Sequence, residues 1–463
     1  MHHKHLILIL KLTLLGIPSV ANAHASEQGF VLLLPTDFYT GAGVAAVALT
    51  VLALIFVPAA WLHALFRPVA LTRISLRGLR ALTSTASAVF LLLLIGAGLF
   101  GPHDPLSNPL TLMIWTVFWI GFVTIQGLIG NLWPWLNPWS GPLQLIRALF
   151  GPWGFARLPV TLGYSFGISA FFGFAYLLLA DPAPNDPDRL ARLVAAYWLF
   201  HMIFAVIYGP RWLRRAEGFT LIFHAYSRLT MLGRHKDRLC LGLPGWQILH
   251  RRRFPIGMSL LIVILLGTGS FDGLNETFWW LARLGINPLE FPGRSAVIIQ
   301  NTTGMLIANA ALISVFAAMI ALGMRLARVQ IRLGTAFALF APTLLPIALG
   351  YHVAHYLTSF LVDSQYVLVA LSDPFLTGAD WLGLGDFYVS TGFFKTQASV
   401  RLIFVSQVGV IVLGHVLAVL LAHAIALRRF TTSSGAALSQ APLAGFMIAY
   451  TLFGLWLLAS PRF

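Results

Sequence analysis

The chain alternates long apolar stretches with short polar segments over nearly its whole length. A helix of about 20 apolar residues is long enough to cross a hydrocarbon core of roughly 30 Å, and stretches of this length recur throughout the sequence. Charged residues and clusters of Gly and Pro interrupt the apolar pattern between them. The pattern therefore predicts ten spanning helices, at 39–65, 81–101, 110–132, 159–180, 190–209, 255–271, 298–324, 334–361, 398–426 and 440–460.

The composition agrees with this pattern and excludes the soluble enzyme folds. Of the 463 residues, 58% are hydrophobic and only 10% are charged, whereas about 25% of the residues of an ordinary soluble protein are charged. We therefore expect an all-α, polytopic membrane helical bundle that is embedded in the lipid bilayer. The single cysteine, Cys240, excludes a disulfide framework and any cysteine-rich metal or iron–sulfur site.

The N-terminal residues have the pattern of a secretory signal peptide. A positively charged start around Lys4 precedes an apolar stretch over 6–20, which is followed by the small residues of Ala21-Asn22-Ala23-His24-Ala25. Cleavage after Ala23 gives a signal peptide of 1–23 and a single transmembrane domain of 24–463. Cleavage after Ala25 would instead remove His24.

Basic residues are distributed unevenly between the two predicted sides of the membrane. The formal net charge is +15, and beyond residue 23 the loops of one side hold 21 Lys and Arg against 7 on the other. The positive-inside rule places the richer side in the cytoplasm, so both ends of the mature chain are predicted to lie outside a bacterial inner membrane. Nucleic-acid binding is not expected, because no soluble binding module surrounds the basic residues.

Two segments outside the spans are rich in apolar or aromatic residues. The segment 210–254 is predicted to lie along the inner membrane surface, where its arginines meet anionic lipid headgroups. The segment 133–139 carries three tryptophans and is predicted to be an interfacial turn that anchors the bundle.

Histidines inside the predicted spans are candidates for a functional site, because an ionisable group in the bilayer is costly. His352 and His355 have a spacing that places both rings on one helix face, about 5 to 6 Å apart at Cβ, where they can share a metal ion. His415 joins them only if the eighth and ninth helices pack together, which the adjacent Gly414 would permit. The alternative is that these histidines only hydrogen-bond neighbouring helices, which is the interpretation we favour for His201.

The polar segment that follows the histidine pair supplies carboxylates. Asp363 and Asp373 both follow the predicted end of the eighth helix, and a carboxylate beside two imidazoles suits a divalent metal ion such as zinc or copper. The predicted metal ligands are therefore His352, His355, His415 and Asp363, and the predicted catalytic groups are His352, His355 and Asp373. Asp373 also directly precedes Pro374, which is typical of a turn residue.

His24 is a further candidate metal ligand. If cleavage follows Ala23, the new α-amino group and the imidazole of His24 form a chelating pair that favours copper among the first-row divalent ions. The alternative is that this segment is only a favourable cleavage sequence.

Five short motifs are distributed over most of the chain: Ala23-His24-Ala25, the stretch from Asn131 to Trp139, Gly350-Tyr351-His352-Val353-Ala354-His355-Tyr356, Ser372-Asp373-Pro374-Phe375 and Gly414-His415-Val416. Together they resemble the bacterial inner-membrane proteins of the fenitrothion hydrolase family. The resemblance implies a membrane-bound hydrolase whose small-molecule substrate is an organophosphate triester. Such hydrolysis requires an activated water and a positive centre at the phosphoryl oxygen, and a histidine-held metal supplies both.

Two other classes of function also suit the sequence. A transporter or accessory protein for copper or another metal would use histidines at several depths, although neither a Met-rich motif nor a Cys pair marks a path for a soft metal. A non-catalytic membrane subunit would use the same histidines only in packing. The sequence specifies neither the metal nor the oligomeric state.

Overall fold

The computed structural model describes residues 30–72, 78–151, 156–429 and 433–462. The predicted signal peptide and His24 lie outside the described residues. Within the described part, ten helices are long and apolar enough to cross a membrane, as the hydropathy pattern predicts. They are α1 (Thr36–Leu54), α2 (Leu79–Phe100), α3 (Pro109–Leu128), α4 (Val160–Leu179), α5 (Pro187–Tyr208), α6 (Ile256–Asn275), α7 (Arg294–Leu326), α8 (Leu333–Ser372), α9 (Gln397–Leu427) and α10 (Ser434–Ala459).

Two of these helices are irregular. The middle of α3, Met113–Phe122, is a π-helix, a rare conformation that is frequent at functional sites. In α8 the turn Ala341–Leu344 is a 3-10 helix, because Pro342 and Pro346 have no N–H to donate within the helix. Shorter helices lie between the spans, at Ala59–Leu65, Trp133–Leu136, Ser140–Phe150, Pro210–Ala216, Gly218–Tyr226, Trp246–His250 and Phe278–Arg283.

A small antiparallel sheet joins two of the connecting segments. Its strands are β1 (Val69–Thr72), β2 (Leu232–His235) and β3 (Arg238–Leu241), in the order β1-β3-β2. Lys236 and Asp237 connect β2 to β3 with φ of 48° and 62°, as a two-residue hairpin turn requires. The fold is thus all-α apart from these three short strands.

The segment 210–254 differs from its prediction as a surface segment. Its helix Gly218–Tyr226 is packed into the bundle, and the side chains of Leu221, Ile222 and Phe223 are almost completely buried. The segment 133–139 is also an inner part of the structure, since Trp133 and Trp139 are both buried. The helix Gly218–Tyr226 and the two tryptophans contribute to the core because their side chains are predominantly apolar.

The centre of the bundle is formed by α6, α8 and α9, which have the largest buried shares. Gly350 of α8 and Gly414 of α9 allow these two helices to pack at close range. A Cβ atom at Gly414 would lie 2.6 Å from the carbonyl oxygen of Pro346, and one at Gly350 would lie 2.9 Å from that of Val410. The condition that the eighth and ninth helices pack together is therefore confirmed.

Two helices extend further than their predicted ends. The α8 helix continues to Ser372 instead of ending at 361, so the prediction that Asp363 lies in a loop is wrong. Polar side chains at 363–365 do not break a helix, whereas Asp373 before Pro374 does. The α6 helix continues to Asn275 instead of ending at 271, which places Asp272 inside it. We call the end of the bundle at which α8 ends the outer end, since the charge pattern predicts it to be periplasmic.

Candidate metal centre

Three side chains converge near the outer ends of α6 and α10. Asp272 lies in the last turn of α6, Glu276 follows one turn later, and His355 lies near the middle of α8. The spacing of the two acids by four residues brings them to one face of α6. The Nε2 atom of His355 lies 3.4 Å from Oδ2 of Asp272 and 4.0 Å from Oε2 of Glu276.

These three residues form the candidate metal centre. Among the described residues they are the one group of three or more His, Cys, Asp or Glu side chains whose donor atoms all lie within 4.8 Å of one another. The side chains of His355 and Asp272 are only 7% and 10% exposed, whereas that of Glu276 is 34% exposed. The group is therefore accessible from the side of Glu276.

Arg462 adds a positive charge to the group. This residue follows the end of α10, and its Nη1 atom lies 3.2 Å from Nδ1 of His355 and 3.8 Å from Oε2 of Glu276. A guanidinium can only donate hydrogen bonds, so Nδ1 of His355 accepts and the neutral ring carries its proton on Nε2. In this arrangement the ring proton faces the two carboxylates.

Tyr356 contacts both Asp272 and His355, the two residues that lie closest to each other in the centre. Its hydroxyl donates a short hydrogen bond to Oδ2 of Asp272, and its ring contacts that of His355 with centroids 4.6 Å apart. Hydrogen bonds of this kind orient ligating carboxylates in metal sites. Tyr356 therefore restricts the rotation of the Asp272 carboxylate.

His352 lies beside this group rather than within it. Its ring is perpendicular to that of Trp119 with centroids 5.1 Å apart, and it also contacts the ring of Tyr356. The Nε2 atom of His352 is buried without a hydrogen-bond partner. Of the predicted pair, the structure thus brings only His355 to the carboxylates.

His415 and Asp363 lie at other levels of the bundle. The Nδ1 atom of His415 lies 2.9 Å from the carbonyl oxygen of Ile411. The adjacent Gly414 packs against Pro346, which lies inward from His355 by about 14 Å along α8. Asp363 follows His355 by eight residues of α8, about 12 Å along the axis. The structure does not bring either residue into the candidate metal centre.

Asp373 is a turn residue in the structure. Its carboxylate accepts hydrogen bonds from the backbone N–H groups of Thr377 and Gly378, at 2.8 and 2.7 Å. Desolvation opposes ionisation of this carboxyl, but the hydrogen bonds outweigh it and hold the pKa of Asp373 below its usual value. The structure does not place Asp373 in the candidate metal centre.

The three donors of the centre fit a divalent ion, but the neighbouring Arg462 opposes its binding. One imidazole nitrogen and two carboxylate oxygens are ligands that zinc and similar borderline ions accept. Binding through Nε2 would move the proton of the His355 ring to Nδ1, where it would face the N–H groups of Arg462. In the observed arrangement Arg462 therefore opposes metal binding.

The sequence-based prediction missed Asp272, Glu276 and Arg462. The signal that could have found the two acids is their spacing of four residues at the end of an otherwise apolar stretch, since acids at such positions are costly and therefore informative. Arg462 gave no such signal, because an arginine directly after a membrane span is not unusual. Comparison with known proteins gives no further guide to the centre, since no family model, curated protein or solved structure matches this chain significantly.

Proposed function

We propose that the protein is a membrane-embedded hydrolase of organophosphate triesters that depends on a divalent ion held by Asp272, Glu276 and His355. The observation that carries the proposal is the convergence of these three donors within 4.8 Å near the outer end of the bundle. The motifs that resemble the fenitrothion hydrolase family, among them the one that contains His355, supply the substrate class.

The residues of the centre provide the groups that triester hydrolysis needs. A bound ion would polarise the phosphoryl oxygen and lower the pKa of water. Glu276, the most exposed of the three donors, would hold the ion through one carboxylate oxygen and accept the proton of the attacking water on the other. The water oxygen forms a bond to phosphorus, the bond from phosphorus to the aryl oxygen breaks, and the aryl oxygen leaves with the bonding electron pair and then takes up a proton.

Two neighbouring residues assist these groups. Arg462 lies 3.8 Å from Glu276, at the accessible side of the centre, where its N–H groups donate to the negative charge that develops on the phosphoryl oxygen. Tyr356 holds the carboxylate of Asp272 in place through its hydroxyl. We expect zinc to suit this donor set, which lacks thiolate and thioether ligands.

The experiment compares Asp272→Asn with the matched variant Asp386→Asn, whose carboxylate lies in an exposed outer loop. Both purified proteins are analysed for bound metal and assayed against an aryl dimethyl phosphate. Asp272→Asn should lose metal and hydrolysis, while Asp386→Asn should keep both. Equal metal content and equal activity in the two variants would contradict the proposal.

A metal-handling function is the second candidate, and a specific observation favours it. Inward from the centre, the Nε2 atoms of His352 and His415 are both buried without hydrogen-bond partners. Together with His355 they place imidazoles at three depths of the bundle, as a path for a metal ion would require. Uptake of zinc into proteoliposomes that contain the protein, lost in His415→Phe and without triester hydrolysis in the wild type, would favour this candidate over the hydrolase.

A further inference from the structure

A large cavity lies among α2, α3, α4 and α5, separate from the candidate metal centre. Its volume is about 960 Å³, near the upper limit of the roughly 300–1,000 Å³ that is typical of small-molecule sites. The wall is predominantly apolar and rich in aromatic rings, among them those of Phe118, Phe174 and Phe219. A protein interior is normally close-packed, so a volume of this size is suited to a ligand.

Partly exposed side chains of α4 and α5 form one wall of the cavity. Phe166 and Tyr176 of α4 and Leu193 and Phe200 of α5 all line it, and these four residues are 36% to 42% exposed. At the inner end of this wall the rings of Phe166 and Phe200 are stacked, with centroids 6.4 Å apart. We therefore expect a ligand to enter from the bilayer through this wall.

The outer end of the cavity is closed by an ion pair. Arg189 donates two hydrogen bonds to the carboxylate of Asp181, at 2.6 and 2.5 Å, and both residues line the cavity. A bidentate pair of this kind satisfies both charges. The outer end thus offers no unpaired charge to a ligand, and recognition of a charged head there is not favoured.

The inner end presents a hydrogen-bond donor. The indole N–H of Trp212 donates to Nδ1 of His201 at 3.0 Å, and an indole N–H can only donate. Nδ1 of His201 therefore accepts, and the neutral ring carries its proton on Nε2. His201 lines the cavity, about 21 Å along α5 from the outer start of that helix at Pro187.

Aromatic rings surround this donor on several sides. The ring of Tyr197 lies 4.4 Å from that of His201 between centroids, and the ring of Trp139 lies 6.0 Å away. The hydroxyl of Tyr197 is itself occupied, because it donates to the buried carboxylate of Glu217 at 2.5 Å. The inner end therefore combines one available N–H donor with flat apolar walls, which suits a planar head that accepts a hydrogen bond.

We propose that this cavity binds a membrane-soluble amphiphile that carries a planar carbonyl head, of the quinone type, on an apolar chain. The head accepts a hydrogen bond from Nε2 of His201, and the chain lies against the aromatic wall towards α4 and α5. The proposal concerns binding alone and is independent of the metal centre.

The experiment uses two probes of matched shape, decyl-1,4-benzoquinone and decylbenzene, with the protein in lipid nanodiscs. Binding is followed by quenching of tryptophan emission for the quinone and by competition for decylbenzene, after subtraction of partitioning into empty nanodiscs. The wild type should bind the quinone saturably and at least about tenfold more tightly than decylbenzene, as one hydrogen bond to a buried donor predicts.

Three variants test the position of the ligand. Gly173→Leu places a side chain in open space within the cavity and should abolish saturable binding of both probes. Gly445→Leu, at an exposed position of α10 that also has no neighbour within 4 Å, is the matched control and should bind like the wild type. Saturable quinone binding that Gly173→Leu leaves intact would overturn the proposed location.

Variants of His201 test recognition of the head. His201→Phe should reduce quinone affinity to that of decylbenzene, and His201→Gln, whose amide can both accept from Trp212 and donate to the ligand, should restore most of it. Equal affinity of the wild type for the two probes would overturn the carbonyl head and would indicate a lipid acyl chain as the occupant. If His201→Phe does not fold, the affinity of His201→Gln for the quinone still tests the proposal, because this variant retains both hydrogen-bonding groups.

Discussion

The candidate metal centre and the aromatic cavity lie in one helical bundle but differ in their side chains, which are charged in the centre and predominantly apolar in the cavity. In the centre, charged groups from α6, α8 and the segment after α10 contact one another, and the side chain of His355 is only 7% exposed. In the cavity, aromatic side chains from α2 to α5 leave about 960 Å³ between them. The buried charges of the centre are thus paired with one another within the chain, whereas the cavity provides apolar volume for a ligand.

Trp119 of the π-helical stretch lies between the two regions. Its ring contacts His352 with centroids 5.1 Å apart and Phe174 with centroids 4.6 Å apart, and Phe174 lines the cavity. Met113 and Val117 of the same stretch line the cavity, whereas the ring of Trp119 faces His352 and Tyr356. Asp272, Glu276 and His355 do not line the cavity, so the comparison predicts that the donors of the centre can be altered without loss of binding in the cavity.

The largest expected effect is a difference in metal binding between variants of His355 and His352, the two histidines of the predicted pair. His355→Ala should lose metal binding, because it removes the only imidazole among the three donors. His352→Ala should retain the metal, since the carboxylates lie with His355. Zinc titration of the purified variants measures the difference, and quinone binding should be unchanged in both. Loss of metal in His352→Ala would instead show that His352 and His355 bind the metal together, as the sequence predicts.

A smaller effect is expected for Tyr356→Phe. This change removes the hydroxyl that donates to Asp272 and leaves the ring contacts. Loss of such an outer partner typically weakens metal affinity by about 10–100-fold. Competition with a chelator of known affinity gives the zinc dissociation constant, and an unchanged constant would show that Asp272 needs no positioning.

An increase in metal affinity is predicted for Arg462→Gln. The guanidinium that faces Nδ1 of His355 at 3.2 Å opposes the tautomer that a metal requires, whereas a glutamine oxygen can accept the Nδ1 proton. We expect an increase of up to about tenfold, comparable to one hydrogen bond of roughly 1 kcal/mol. Arg462→Lys keeps the charge and should remain near the wild type. Weaker binding in Arg462→Gln would mean that the arginine supports the site.

The smallest expected effect concerns Asp373. Because its pKa is lowered in the folded protein, its ionised form stabilises the turn above the ordinary pKa of about 3.9, and this stabilisation is lost as the pH falls through the lowered value. The protection of the Thr377 and Gly378 amides against hydrogen exchange, taken relative to the intrinsic exchange rate at each pH, should therefore fall at low pH, and Asp373→Asn should show reduced protection already at neutral pH. The zinc affinity of Asp373→Asn should equal that of the wild type. Loss of zinc in this variant would show that Asp373 is part of the metal site.

The fold was largely predictable from the sequence, whereas the candidate metal centre was not. Hydropathy is a local property, so ten spans follow from it directly. The centre instead combines Asp272, His355 and Arg462, which are far apart in the sequence, and only helix packing brings them together. His355 was found because its intramembrane position is itself unusual. The position of Asp363 does not follow from hydropathy, because the polar residues at 363–365 lie within a helix that continues to Ser372.

The most direct test of the central claim is X-ray absorption at the zinc edge of the purified, zinc-loaded protein. The account predicts one imidazole nitrogen together with carboxylate oxygens in the coordination shell, as the group of Asp272, Glu276 and His355 provides. The imidazole signal should disappear in His355→Ala and persist in His352→Ala. A shell with two or more imidazoles, or a wild-type protein that binds no zinc, would contradict the account.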